Sequence, residues 1–531
     1  MTSMDQSRTN INREAILARA NDLINSIEEA VEDQIAAHKV EKNILSELLA
    51  IGFMLMSYLF ELYKGGDRGE TLELSDGRKL KRLARQHKRS YLSVFGEFTL
   101  WRWVYGTREG QKIENIPMDQ DLALPAKKYS YLLQDWTQSF AAGAPYAEAV
   151  KIIERIFSIT FPVSGLERTA QSTSESAHAF FDQQTDSAPA QKQQIIVASV
   201  DCKGVVIRKP GTDQQGVTQE TEQVIKPANV EQASPKGHFG KKKMAVVGSV
   251  YNVDLFPRSA NELLESLFQP ADRPKKDDDK EKPPRPKPVS KHVRACMDRD
   301  EADSLLPARQ TIFSWLDLQI KQRNPSDEKR TIVMLMDGEE KLRQMSEQMD
   351  AAPDTVLILD IIHASSYVWN AVETLYPDNS TRDNRGIVKG YIEKILHGQV
   401  SRVIRSFRYL STHRDLKGKA FKQVRSSAAY LERNADRMHY DEYLAAGYPV
   451  ASGIIEGACR HIIVDRMEGS GMRWIMSGAK AMLNLRCIYI NEAWDQFMDF
   501  HIQQEQQRIH STRLKNSPAA NDDVFLDTQA A

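Results

Sequence analysis

The chain has 531 residues, 41% hydrophobic and 27% charged, with Lys+Arg 71 against Asp+Glu 72 and a formal net charge of −1. That length implies two or three domains, and the composition excludes a wholly disordered chain, a collagen and a continuous coiled coil. The balanced charge leaves any nucleic-acid signal to local patches. Four cysteines, Cys202, Cys296, Cys459 and Cys487, none in CxxC spacing, argue against a disulfide framework or zinc ribbon and fit a reducing cytoplasm.

The polar N-terminus has no signal-peptide pattern. Residues 12 to 63 follow helical spacing, through Ile16, Leu17, Ala20, Leu23, Ile24 and Ile27, then Leu45, Leu48, Leu49, Phe53 and Leu55. The apolar run Leu48 to Tyr63 contains Glu61. It is too short and interrupted to span a bilayer and reads as a buried helix, so no membrane partner and a cytoplasmic location are expected. Gly65-Gly66 stops this region, and Arg78 to Arg89 follows with seven Lys/Arg and no acid. Tyr91 to Tyr105, aromatic and β-branched around Gly96, predicts a β-hairpin.

From Pro125 to Phe181 the pattern is again helical. A helix over Tyr146 to Phe157, a turn at Pro162-Val163 and a polar helix from Ser164 to Ala177 give either a helix-turn-helix or an ordinary helical hairpin. Arg168 is the second helix's only cation.

The period changes after Gln194. A strand over Ile195 to Val200 ending at Asp201, a Lys203-Gly204 turn and a strand over Met244 to Val253 are predicted. Arg273 to Lys291 holds five prolines and twelve charges and reads as a solvated linker. Helical patterning resumes over Arg309 to Lys321. Short apolar runs then end at Asp337 and Asp360, each followed by a helical segment, the alternation of an α/β sheet. Residues 378 to 440 are helical and basic, densest from Arg402 to Arg425, with eight bases and one acid.

The expected organisation is a helical N-terminal region with the basic stretch and hairpin (1–120), a helix-turn-helix-like region (121–190), and an α/β core (191–377) interrupted by a disordered linker at about 270–291. A basic helical insertion (378–447), a closing block (448–512) and a disordered tail (513–531) complete it.

Carboxylates carry the chemical suggestion. Asp201 and Asp337 follow strands, and acids at the carboxyl ends of strands in an open α/β sheet face the site crevice. Such acids share a hard divalent cation readily, since Mg²⁺ prefers oxygen ligands. Glu456, in the run Gly453-Ile-Ile-Glu456-Gly457-Ala-Cys-Arg460-His461, is the candidate third acid of a two-metal site. On residue patterns alone Asp360 competes with Asp337, and Asp465 and Glu468 compete with Glu456.

Several stretches in order resemble one family, the DDE transposases of bacterial insertion sequences, ISKra type. They include Val200-Asp201-Cys-Lys-Gly, Lys242 to Val253, Met336-Asp337-Gly338, and Asp360-Ile-Ile-His363 running on to Ala371. Most specific is Tyr448 to His461, continued by Asp465-Arg466-Met467 and Gly471-Met-Arg473-Trp474. The resemblance covers roughly residues 120 to 510. Ala364-Ser365-Ser366 departs from the family's pattern. The resemblance implies an RNase H-like fold with a helical insertion, a catalytic and metal-binding triad Asp201, Asp337 and Glu456, and Mg²⁺ or Mn²⁺, as two ions. It gives Asp360, His363 and His461 supporting roles. The activity implied is cleavage of double-stranded DNA at element ends and strand transfer to a target, by a homo-oligomer.

Under that reading Arg402, Arg405, Arg408, Arg414, Lys417, Lys419, Lys422 and Arg425 neutralise DNA phosphates. Arg460 holds Glu456 or contacts a phosphate, and Arg168 sits in the base-reading helix. The alternative is a domesticated, non-catalytic DNA-binding derivative. Inverted repeats flanking the reading frame would distinguish the two. No zipper-like heptad is visible in the sequence.

Overall fold

The computed structural model describes residues 11–74, 76–107, 113–184, 189–191, 193–208, 241–269, 285–298, 308–324, 330–350, 355–469 and 472–510. The chain divides into two units, Met1–Ser176 with Trp494–Ala531, and Ala177–Ala493.

The first unit begins with an antiparallel pair, α1 (Arg13–Glu32) and α2 (Ala37–Leu62). Asn12 starts α1 by accepting from Ala15 N at 2.9 Å, which satisfies an otherwise orphaned donor. Arg19 pairs with Glu47 at 2.9 Å across the two helices. The predicted helix over the Leu48 run is present, but the expectation that it is buried is not met. Only Gly52 and Phe60 of α2 are buried, because among the described residues its packing partners are α1, the turn at Lys64–Gly66 and one β-hairpin. With 26 residues it is, by length and composition, a helix able to cross a membrane.

β1 (Thr71–Glu73), β2 (Lys79–Arg82) and β5 (Tyr105–Gly106) form one small antiparallel sheet. The predicted hairpin is β3 (His87–Ser93) and β4 (Gly96–Arg102), closed at Ser93 opposite Gly96. Phe98 on β4 stacks on Phe53 of α2 at 4.6 Å, and Phe60 meets Tyr91 edge-on. The basic stretch is partly spent on structure: Arg78 pairs with Asp76 and Glu114, Arg82 with Asp67, and Arg89 with Asp119.

After α3 (Pro117–Asp121), three helices pack together: α4 (Tyr131–Gly143), α5 (Tyr146–Phe157) and α6 (Val163–Thr173). The chain leaves α5 through Ser158 in the left-handed region, φ 57°. Gly165 lets α6 lie against Tyr129, whose hydroxyl a Cβ there would strike. The C-terminal helix Trp494–Ile509 returns to this unit, with the Trp494 indole N–H donating to Asp135 at 2.6 Å.

The second unit is mixed α/β. It holds α7 (Ala177–Gln183), β6 (Gln194–Ile207), β7 (Lys241–Asp254), α8 (Ala260–Leu267), β8 (Val289–Met297), α9 (Ala308–Arg323), β9 (Ile332–Met336), α10 (Glu340–Glu347) and β10 (Val356–Leu359). Then come α11 (Ile361–Leu375), α12 (Thr381–Leu396), α13 (Val400–His413), α14 (Gly418–Arg433), α15 (Tyr440–Ala445), α16 (Gly453–Cys459) and α17 (Met476–Ile490). Five strands make one sheet in the order β10-β9-β6-β7-β8, with β6, β9 and β10 parallel and β7 antiparallel to both β6 and β8.

Two strands differ from the sequence reading. β6 does not end at Asp201 or turn at Lys203-Gly204. It continues to Ile207 because β7 pairs with it along its length, Asp201 opposite Val247 and Gly204 opposite Met244. β8 starts at Val289, inside the stretch read as linker, since β7 offers it a paired edge. Residues 270–284 of that linker and the tail 513–531 lie outside the described residues.

One face of the sheet, with Val197, Val333 and Leu335, shares a buried core with α11 to α14, through Val368, Ile392, Phe407 and Leu431. The basic helices are thus built onto the sheet's own core. On the other face α9 packs against β7, where Gly248 makes room for Ile312 and Trp315.

Candidate functional site

β6 and β9 run parallel with Val200 opposite Met336. Asp201 and Asp337 therefore occupy the next positions along two adjacent parallel chains. Asp201 is half-buried and accepts from its neighbour Cys202 N at 2.7 Å. Its other oxygen accepts from the Cys459 thiol at 3.5 Å. Burial and then the charge of Asp201 raise the Cys459 pKa, so the thiol keeps its proton and stays a donor. Burial also pushes the Cys202 thiol up to about 11.

Glu456 lies in α16, one turn before Cys459. Its carboxyl is raised above the usual glutamate range, first by desolvation and next by the charge of Asp360; Asp201 adds to this and His363 opposes it. Glu456, Asp201, Asp360 and His363 therefore share one electrostatic neighbourhood.

Asp337 sits in the turn after β9 and accepts from Glu339 N at 2.9 Å. The next residue, Gly338, donates its N–H to the Tyr430 hydroxyl at 3.1 Å. Tyr430 is stacked on Tyr367 with ring centres 3.5 Å apart, so helices α11 and α14 brace the Asp337 turn.

Asp360 is fully buried, at 0% exposure. It caps α11 by accepting from Ile362 N at 2.9 Å, and the Ser452 hydroxyl donates to its second oxygen. Burial raises its pKa, against the pull of those two hydrogen bonds. Both carboxylate oxygens are thus committed to protein donors, which separates Asp360 from the half-buried Asp337.

The competing acids downstream of Glu456 face basic partners. Asp465 lies 2.9 Å from His461 Nδ1 and 3.7 Å from Arg460 Nε, and Glu468 is 3.5 Å from Lys242. Arg460 thus reaches Asp465 rather than Glu456. The reason is that the helix widens at Arg460 into a π-helical segment, Arg460–Glu468, whose i→i+5 spacing aligns residues 460 and 465. A Cβ added at Gly453 or Gly457 would meet nothing within 4 Å, so close helix–sheet packing does not explain those glycines. Among the described residues no group of three His, Cys, Asp or Glu side chains converges as a ready metal-binding cluster.

The basic residues divide in two. Arg408 is paired with Glu432, and Arg414 donates to the Leu375 carbonyl at 2.7 Å and lies 4.0 Å over the Tyr376 ring. Arg402, Arg405, Lys417, Lys419, Lys422 and Arg425 are exposed, with Lys417 near Asp415 at 3.1 Å. Arg168 is exposed on α6 beside exposed Glu167. Sequence reasoning missed Ser452, Cys459 and Tyr430. Cys459 could have been found, standing at i+3 from Glu456; Tyr430 has no local signal.

Comparison with protein-family models and with curated proteins finds no match to this chain.

Proposed function

We propose that the chain is a DDE-type transposase of a bacterial insertion sequence of the ISKra type, working on double-stranded DNA in the cytoplasm as a homo-oligomer. Under this reading the sheet-bearing unit is an RNase H-like catalytic core and α5 and α6 form a helix-turn-helix reader. The observation that carries it is the parallel register of β6 and β9, which sets Asp201 beside Asp337, with α16 tethered to Asp201 through Cys459 and bearing Glu456 one turn away.

The donor set fits Mg²⁺ or Mn²⁺, since all three candidates are carboxylates and hard cations take oxygen ligands. Desolvation first, and then the charges of Asp360 and Asp201, hold the Glu456 carboxyl up, and a divalent cation bound there would relieve that cost. Bound as one or two ions, the metal would supply activation of water or of a 3′-hydroxyl and stabilisation of the leaving oxygen. The protein's own part is positioning. The Cys459 thiol and Cys202 N–H orient Asp201, the Tyr430–Tyr367 stack fixes the Asp337 turn, and Asp360 ties the start of α11 to the segment before α16. The exposed bases of α13 and α14 meet DNA phosphates, which gives salt-dependent affinity without sequence reading.

The test is cleavage of labelled DNA carrying the gene's flanking termini, with Mg²⁺ or Mn²⁺, by the wild type and Asp337→Asn. Metal-dependent cutting lost in the variant, with end binding retained, is expected. Cutting by the variant would remove Asp337 from the site. Binding without cutting by either protein would favour the domesticated DNA-binding derivative.

A further inference from the structure

A turn at Lys203-Gly204 would carry Lys203 away from the sheet. The observed strand does the opposite, since β6 runs on to Ile207. Side chains alternate across a strand, so Asp201 and Lys203 stand on one face, about 7 Å apart along the backbone. Cys202, between them, faces the other side, where Arg309 and Glu339 act on it. The face that Asp201 and Lys203 share is the one α16 covers: Cys459 reaches Asp201, and the Lys203 charge is felt at the same thiol. Across the ladder Lys203 lies opposite Ala245, a small neighbour that leaves room for the lysine stem. Lys203 is half-buried, yet among the described residues no acid pairs with it. The cations around it differ. Lys242 pairs with Glu468, Arg460 with Asp465 and Arg309 with Glu339. Desolvating an ammonium without an anion is costly, and Asp201, the acid on its own face, is a proposed metal ligand.

We propose that Lys203 binds the DNA strand at the candidate site, its ammonium donating to a phosphate oxygen one or two nucleotides from the bond to be cut. The proposal rests on the transposase reading and adds a substrate contact to it. The offset follows from the geometry. Lys203 is about 7 Å beyond Asp201 along β6, and successive phosphates of one DNA strand rise about 3.4 Å each. A lysine suits this place, being a point charge that meets a phosphate without reading sequence. The exposed bases of α13 and α14 neutralise phosphates at large, whereas Lys203 shares its strand face with a candidate catalytic acid and so acts on the strand being cut.

The experiment compares the full-length wild type, Lys203→Gln and Lys203→Arg on DNA carrying the gene's flanking termini, by anisotropy over a range of salt and by steady-state cleavage with Mg²⁺. In Lys203→Gln the log–log salt slope of binding is expected to fall by about 1. KM is expected to rise about tenfold, as for one lost charge-assisted contact, while Lys203→Arg keeps both near wild type. A neutral methylphosphonate one or two nucleotides from the cut should weaken the wild type and leave Lys203→Gln indifferent. An unchanged slope and KM in Lys203→Gln overturn the proposal, and wild-type cutting then leaves the transposase reading standing. A gain in Mn²⁺ affinity by calorimetry, with DNA binding unaltered, also overturns it, because Lys203 would then only offset the charge of the acids. A reduced slope in a protein that never cuts supports the contact and removes the catalytic reading. A wild type that binds no DNA overturns both. Should Lys203→Gln lose its circular dichroism, Lys203→Met, which keeps the aliphatic stem, must show the same losses.

Discussion

Asp360 offers the sharpest test of how the unit is held together. Asp360→Ala removes the acceptor for Ile362 N and strands the buried Ser452 hydroxyl. Losing the cap costs about 0.5–2 kcal/mol, and leaving a buried hydroxyl unpaired costs about 1–3 kcal/mol more. Asp360→Asn keeps a cap acceptor, and Ser452 can turn its hydroxyl to accept from the amide, so a far smaller loss is expected. The two variants also separate in pH. Burial raises the folded-state pKa of Asp360, so the wild type binds more protons folded than unfolded. Its contribution is fully present below the ordinary carboxylate range and is lost as pH rises through the raised value. The neutral asparagine lacks that loss, so Asp360→Asn gains on the wild type as pH rises from acid to neutral. Hydrogen exchange under graded urea, read on peptides from Ile361–Leu375, measures both effects for this unit alone. The reasoning fails if alanine costs less than about 1 kcal/mol there, if the two variants are alike, or if asparagine loses ground as pH rises.

Two further outcomes are expected. Gly338→Ala puts a Cβ 2.5 Å from the Tyr430 ring, which cannot retreat because it is stacked on Tyr367. Overpacking of this kind costs about 1–3 kcal/mol, and a wild-type urea midpoint for the sheet-bearing unit would show that the turn yields freely. Replacing the exposed Lys419, Lys422 and Arg425 by glutamate should flatten the log–log salt dependence of DNA binding by about 3, with the fold unchanged by circular dichroism. An unaltered slope would mean that DNA does not meet this helix.

The legibility of the chain varied by element. Helix α5 has the bounds that its apolar spacing predicts, Tyr146–Phe157, and the hairpin turns at Gly96 as the aromatic alternation suggests. These are local matters, decided by residues within one or two turns of each other. β8 was hidden, because proline and charge density before it resemble a linker and its pairing partner β7 lies some 40 residues upstream. The Lys203-Gly204 turn was a false signal for the same reason: glycine permits a turn, but a ladder with β7 keeps the backbone extended.

The candidate site shows the same division. Residue types and order alone listed Asp201, Asp337, Asp360 and Glu456, with Asp465 and Glu468 competing with Glu456, because strand-terminal acids and a glycine-flanked glutamate are visible without any contact. Their ranking was not visible. Asp337 and Asp360 are alike in sequence, each closing an apolar strand, and only folding commits both oxygens of Asp360 to Ile362 and Ser452 while Asp337 stays half-buried. Arg460 likewise needed the structure, since a π-helical turn changes which residue it faces. Local chemistry therefore determined the elements and the list of acids. Tertiary structure decided which acid is buried and which is open, and left the leucines of α2 outward, because burial depends on partners far away in the chain that no local pattern encodes.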